Sequence, residues 1–189
     1  MKNFFNTGHT DIKNINISKS SENINLNLAY TSTDQEGFTP NNTLRRNNFS
    51  IGGSTKLTNK FTFNGSMMYS NTDKISPPNA ASTGSSNVSA GGSGVFANVL
   101  YTPRSIDLMN LPYKDDQNRS VYYRGGNDIQ NPRWTAENEI DQEVTDRSFI
   151  SMTGTYKFSD FLSLTWRSGL DSYNEIASFK VNNSRPNFL

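Results

Sequence analysis

The sequence predicts an all-β chain: a segment of antiparallel transmembrane β-barrel, about six strands long, with long extracellular loops. Three observations predict it. Six stretches alternate apolar and polar residues with period 2. Tight turns and long connections alternate along the chain, so every long loop falls at one end of the strands. Charges avoid the central apolar positions, as a lipid-facing surface requires, because a charge at the bilayer midplane costs roughly 2–4 kcal/mol.

The first strand is predicted at 11–19, with Ile15 and Ile17 on one face, and Lys13 as a charged exception there. The second, at 23–31, is the cleanest: Ile24, Leu26, Leu28 and Tyr30 share one face, and Asn23, Asn25, Asn27 and Ala29 the other. A turn at Ser20-Ser21 sets Ile17 opposite Ile24 and Lys19 opposite Glu22.

The second hairpin covers 44–57 and 61–72. Phe49, Ile51, Gly53, Thr55 and Leu57 alternate with polar residues, and Phe61, Phe63, Gly65, Met67 and Tyr69 answer them. Pairing Leu57 with Phe61 sets Gly53 opposite Gly65, Ile51 opposite Met67 and Phe49 opposite Tyr69. The third hairpin covers 145–158 and 162–173. Ile150, Met152, Gly154, Tyr156 and Phe158 face Leu162, Leu164, Trp166, Ser168 and Leu170, with Phe158 opposite Leu162 and Gly154 opposite Trp166. Arg147, Lys157, Arg167 and Asp171 fall on its polar face.

The connections at 20–21, 58–60 and 159–161 are tight, whereas 32–43 and about 73–144 are long. Strands of this length suit a tilted crossing of the hydrocarbon. Phe61, Phe63, Tyr156, Phe158 and Phe161 gather near the tight turns, where an interfacial aromatic girdle sits. Within the long loop, 76–94 is rich in Ser, Gly and Asn. Residues 95–111 are apolar enough for a short packing helix, and 113–144 return to polar loop. A loop of this length is more often functional than a plain connector.

Composition agrees with a wall that is wet on one face. Of 189 residues, 26 are Asn, 24 Ser and 17 Thr, while hydrophobic residues reach only 33%. A net charge of +1 excludes disorder by charge excess and lends no support to a nucleic-acid surface. The lack of cysteine excludes a disulfide scaffold and Cys-based zinc or redox sites. No apolar run is long enough for a transmembrane helix, and no apolar leader follows Lys2.

Several stretches carry a family likeness. They are Phe4-Phe5-Asn6-Thr7-Gly8; Tyr30-Thr31-Ser32 followed by Gln35-Glu36-Gly37 and Pro40-Asn41; Arg46-Asn47-Asn48-Phe49; Tyr101-Thr102-Pro103-Arg104-Ser105-Ile106-Asp107-Leu108; and Leu164 to Tyr173, ending Gly169-Leu170-Asp171-Ser172-Tyr173. In this order and spacing, which span nearly the whole chain, they resemble the barrel of SusC/RagA-type TonB-dependent outer-membrane transporters. The resemblance implies a 22-stranded barrel holding an N-terminal plug, of which this chain would be an internal piece without the plug. It implies a SusD-like surface lipoprotein as partner, TonB acting through the absent plug, oligosaccharides or peptides as substrate, and the outer membrane of a Gram-negative bacterium as location. Six strands are fewer than the eight of the smallest membrane barrels, so the piece is not expected to close or transport alone.

The lipid-facing set is then Ile24, Leu26, Leu28, Phe49, Ile51, Phe61, Phe63, Met67, Ile150, Met152, Tyr156, Leu162, Leu164 and Trp166. In the long loop, Tyr113, Tyr122, Tyr123 and Trp134 are candidate contacts for ligand or partner. The competing reading packs these rings against the barrel rim. Arg104 and Asp107 are further candidates: they suit an ion pair within the loop, and by resemblance they belong to a recurrent loop motif.

Catalytic and metal chemistry find little footing. His9 is the only histidine, so nucleophilic triads and zinc sites lack parts, and no cofactor is implied. Glu137, Glu139, Asp141 and Glu143 alternate and have oxygen ligands to offer calcium, but their spacing matches no loop signature; a solvated acidic loop is the plainer reading, as it is for Asp115 and Asp116. Gly91, Gly92 and Gly94 lack the Lys-Ser/Thr of a phosphate loop. The main alternative to a barrel is a soluble or surface-exposed β-sandwich binding module, of glycan-binding or adhesin type, with the apolar faces as a dry core.

Overall fold

The computed structural model describes residues 2–78, 94–123, 130–181 and 187–188. The alternating stretches form six long strands: β1 (His9–Ser20), β2 (Ile24–Glu36), β3 (Thr43–Thr58), β4 (Phe61–Ser76), β6 (Glu139–Ser159) and β7 (Leu162–Val181). They make one antiparallel meander in the order β1-β2-β3-β4-β6-β7. The sheet is open, with β1 and β7 as its edges. Between β4 and β6 lie α1 (Val95–Tyr101), β5 (Val121–Tyr122) and α2 (Pro132–Asn138); β5 pairs with β8 (Asn187–Phe188). A 3-10 turn at Lys2–Phe4 precedes β1.

The strands run further toward the long loops than alternation marks. β2 reaches Glu36, β4 reaches Ser76, β6 begins at Glu139 and β7 extends to Val181. Apolar residues stop alternating there, but the backbone ladder continues, because hydrogen bonding between strands does not require an apolar face. The long connection therefore runs from Ser76 to Glu139. The helix expected within 95–111 is α1. α2 falls in the stretch expected to be polar loop. Its start carries a recognisable signal: Asn131 caps it, accepting from Arg133 N, and Pro132 stands at the first turn. The expectation for 76–94, with Gly91 and Gly92, falls largely on residues 79–93, outside the described residues.

The central pairings of the second and third hairpins are as expected: Gly53 faces Gly65, Ile51 faces Met67, Phe49 faces Tyr69, and Gly154 faces Trp166. Near their turns the expected pairs Leu57–Phe61 and Phe158–Leu162 are replaced by Thr58–Phe61 and Ser159–Leu162, with a bulge at Leu57 and at Phe158. The bulge absorbs one residue, so that a two-residue turn closes without any left-handed residue in it. Thr58 Oγ1 holds its turn by accepting from Lys60 N (3.2 Å) and Phe61 N (3.0 Å).

The first hairpin has a different register from the one expected. Ile17 faces Leu28 and Lys19 faces Leu26, not Ile24 and Glu22. The turn lies not at Ser20-Ser21 but at Glu22-Asn23, where the Asn23 carbonyl is also held by β3, accepting from Lys56 N at 2.8 Å. The chain instead pairs Ser20 with Asn25, and Ser21 N donates to Ile24 O at 2.8 Å. Each partner moves by four positions, an even number, so every side chain keeps its face.

The buried core is not within the sheet. It lies among the connections at the long-loop end, where Phe4, Val95, Val99, Leu108, Tyr122 and Ala136 pack together, with Phe5, Met109 and Tyr123 against them. This cap is tied to the strands by Asn6 N donating to Phe38 O (2.8 Å) and Asn41 Nδ2 donating to Ala136 O (2.8 Å).

Candidate functional site

Two surfaces carry chemistry: the faces of the sheet and the cap. Directly paired residues project to one face, so the ladder joins the three hairpin faces into one. Ile17, Leu28, Ile51, Met67, Ile150 and Leu170 are successive partners across all six strands. On the same face toward the tight turns stand Ile24, Leu26, Phe61, Phe63, Met152, Tyr156, Leu162, Leu164 and Trp166, with Phe49 on the other side of that row. These side chains are largely unburied: Ile17 is 61% exposed and Leu164 59%. Large apolar groups left uncovered across a whole sheet mark a surface made for something other than water.

The apolar face ends abruptly toward the long loops. Lys13, Ser32, Asn47, Asn71, Asp146 and Asn174 form the first wholly polar row; in the next, Asp11, Asp34, Arg45 and Asp73 continue it on β1 to β4, while Val144 and Ile176 are its apolar members on β6 and β7. Lys13 therefore belongs to the polar margin and pairs with Asp11 at 2.9 Å. Two tyrosines mark this border with their rings on the apolar side. Tyr30 Oη donates to Asn47 Oδ1 (2.8 Å), and Tyr69 Oη donates to Asp146 Oδ1 (2.6 Å), which also accepts from Asn71 Nδ2 (2.8 Å). Sequence reading missed this second ring row, because its polar partners lie on other strands. At the tight-turn end, Phe61 lies 6.5 Å from Tyr156, and Tyr156 lies 4.8 Å edge-to-face from Phe158; Phe161 is 92% exposed.

The opposite face carries Asn14, Asn16, Asn25, Asn27, Asn48 and Asn64 with many Ser and Thr. Its charges include Arg147, Lys157, Arg167 and Asp171, as expected. Arg147 holds Asp171 in a two-pronged pair, Nε to Oδ1 at 3.0 Å and Nη2 to Oδ2 at 2.6 Å.

The six loop candidates divide. Trp134 is fully buried, with Nε1 donating to Asn118 O at 2.8 Å. Tyr122 is 4% exposed, and its hydroxyl lies 2.8 Å from Thr102 Oγ1. Both rings build the cap's interior and so are not surfaces for a ligand. Tyr123 packs edge-to-face on Tyr122 at 4.5 Å. Tyr113 is half-buried: its hydroxyl donates to Glu137 Oε2 (2.8 Å), and the Arg133 guanidinium lies 4.1 Å above its ring. Arg104 and Asp107 do border an open hollow with Asn3, Ser105 and Asn110, but not as an ion pair. Asp107 instead accepts from Asn110 Nδ2 (2.7 Å) and from the Met109 and Asn110 backbone amides, which hold its carboxyl below the usual range.

The alternating acids do not converge on one point. Glu137 accepts from Lys114 Nζ at 2.7 Å, and this ammonium and the Tyr113 hydroxyl lower its pKa. Glu143 pairs with Lys74 at 3.3 Å. Glu139 is 2% exposed, its Oε2 has no hydrogen-bond partner, and burial pushes its pKa up to about 7. Among the described residues no three acidic, histidine or cysteine side chains are placed to share a metal ion. His9, at the start of β1, lies 3.7 Å from Glu36. Arg133 is a structural hub that sequence reading did not single out: its Nη1 donates to the Met109 carbonyl at 2.9 Å, with those of Leu108 and Leu111 at 3.4 and 3.3 Å.

No protein-family model matches the chain, and no curated protein matches it.

Proposed function

We propose that this chain is part of the wall of a transmembrane β-barrel in a bacterial outer membrane, in a nutrient importer of the SusC/RagA type. The observation that carries the reading is the single apolar face spanning six strands, whose one charge inside its borders, Lys19, stands at the tight-turn edge. It is bounded by rings at the tight turns and by tyrosines against a polar row at the other end. On β4 the distance from Phe61 to Tyr69 is about 26 Å along the strand and about 20 Å at a barrel-like tilt of roughly 40°, close to the apolar height of outer-membrane barrels. The Asn/Ser/Thr face then meets an aqueous lumen, and the cap sits at the extracellular mouth.

In the whole transporter, a 22-stranded barrel with a plug, ligand would be captured between these loops and a SusD-like lipoprotein and released inward when TonB pulls the plug. The ligand class is oligosaccharide or peptide, and this segment supplies wall and mouth. The β-sandwich alternative needs a second layer over the apolar face, yet among the described residues that face stands exposed.

The test is solvent preference. The chain should enter detergent micelles or phospholipid vesicles, and spin labels at Leu28 and Ile51 should become accessible to oxygen and shielded from a polar relaxing agent. A monomer stable in plain buffer, with those positions dry, would overturn the proposal.

A further inference from the structure

We propose that the apolar face holds a site for one anionic phospholipid, with an acyl chain in the groove floored by Gly53 and Gly65 and the headgroup phosphate on the Lys19 ammonium. This rests on the membrane-wall reading and adds to it a lipid bound at a fixed place.

Two independent features carry it. The first is the groove. Gly53 and Gly65 are direct partners on β3 and β4, so two neighbouring side chains are missing from the middle of the apolar face. The hollow they leave measures about 420 Å³ and is walled by Leu26, Ile51, Phe63, Met67, Ile150 and Met152. Its floor resists filling: a β-carbon at Gly53 would lie 2.5 Å from the Asn25 carbonyl oxygen. The two methionines in its wall are unbranched and adapt to a bent chain.

The second feature is the cation. Lys19 stands directly opposite Leu26, one of the groove walls, on the same apolar face. The register of the first hairpin takes it away from Glu22, and among the described residues no acid pairs with it. Lys19 is the last residue but one of β1, at the tight-turn end, and from there a lysine can lay its methylenes along apolar surface while its ammonium reaches a headgroup. That end meets the periplasmic leaflet in the reading above. A phosphate there satisfies the charge, and its own acyl chain lies within reach of the groove. A zwitterionic lipid brings a second cation beside the ammonium, so a net negative headgroup is favoured.

The experiment uses the full chain in dodecyl maltoside micelles with equal phosphatidylglycerol and phosphatidylcholine, and reads retained lipid by native mass spectrometry. The expected result is one phosphatidylglycerol per chain, preferred about fivefold over phosphatidylcholine. Lys19→Gln should abolish the preference, and Gly65→Leu, whose side chain enters the groove, should lower retention of both lipids. Lys60→Gln, in a tight turn away from the groove, should behave as wild type. Equal retention of the two lipids by the wild-type chain, or the same loss with Lys60→Gln as with Lys19→Gln, overturns the site. A chain that enters micelles without any lipid preference refutes the site alone; a chain that does not enter them refutes the membrane reading.

Discussion

Trp166 covers Gly154. The two are direct partners across β6 and β7, and Trp166 Cε3 lies 3.6 Å from where a side chain at Gly154 would begin, with the Phe61 ring 3.5 Å away on the other side. The glycine makes room for two rings from neighbouring strands, and the rings shield its bare backbone. Trp166→Ala should destabilise the folded chain by about 1 kcal/mol through the lost cross-strand contact, read by urea unfolding from lipid vesicles. Gly154→Ala meets only ordinary contact distances and should stay within about 0.5 kcal/mol of wild type.

Gly52 and Gly53 are neighbours in sequence but not in tolerance. A β-carbon at Gly52 has 3.7 Å to its nearest neighbour, whereas one at Gly53 would press on the Asn25 carbonyl. Gly53→Ala should therefore cost about 1–3 kcal/mol as the β2–β3 ladder gives way, and Gly52→Ala almost nothing. Parallel unfolding curves for the two variants check this; equal losses would contradict it.

Glu139 should make the cap sensitive to pH. Its folded pKa is about 7 against an ordinary 4.5, so between those values the folded chain holds a proton that the unfolded chain has released. Stability from this group is full below about pH 4.5, falls as pH rises toward 7, and is lost above it. Glu139→Gln should remove that slope and strengthen the cap at pH 8 by no more than about 3 kcal/mol. Amide exchange of α2 at pH 5.5 and 8 measures the effect; a wild-type cap equally protected at both would contradict it.

Arg133 anchors the segment before β5. One guanidinium serves carbonyls in the 108–111 stretch and stacks over Tyr113, a fork that lysine cannot reproduce. Arg133→Lys should loosen this segment by about 1–3 kcal/mol. Limited proteolysis should then cut near Arg104 sooner than in wild type, while the β6–β7 hairpin keeps its protection.

The sequence by itself determined the strands, their faces and most of the central register. Period-2 alternation is local, and Gly53 opposite Gly65 or Gly154 opposite Trp166 follows once a hairpin turn is placed. The first hairpin shows the limit: Ser20-Ser21 looks like a turn, but register is settled by the turn's backbone geometry and by pairing with β3. The slip was even, so the faces survived the error and the fate of Lys19 did not. Only the tertiary structure decided what required distant segments to meet. Tyr69 finds Asp146 across 77 positions of chain, Trp134 and Tyr122 turn inward, and Glu139 loses its water. A ring or a carboxylate reads the same in sequence whether it faces solvent or a core. Burial depends on what folds over it, and here that cover is the cap drawn from the segment before β1, the β2–β3 connection and the long β4–β6 connection.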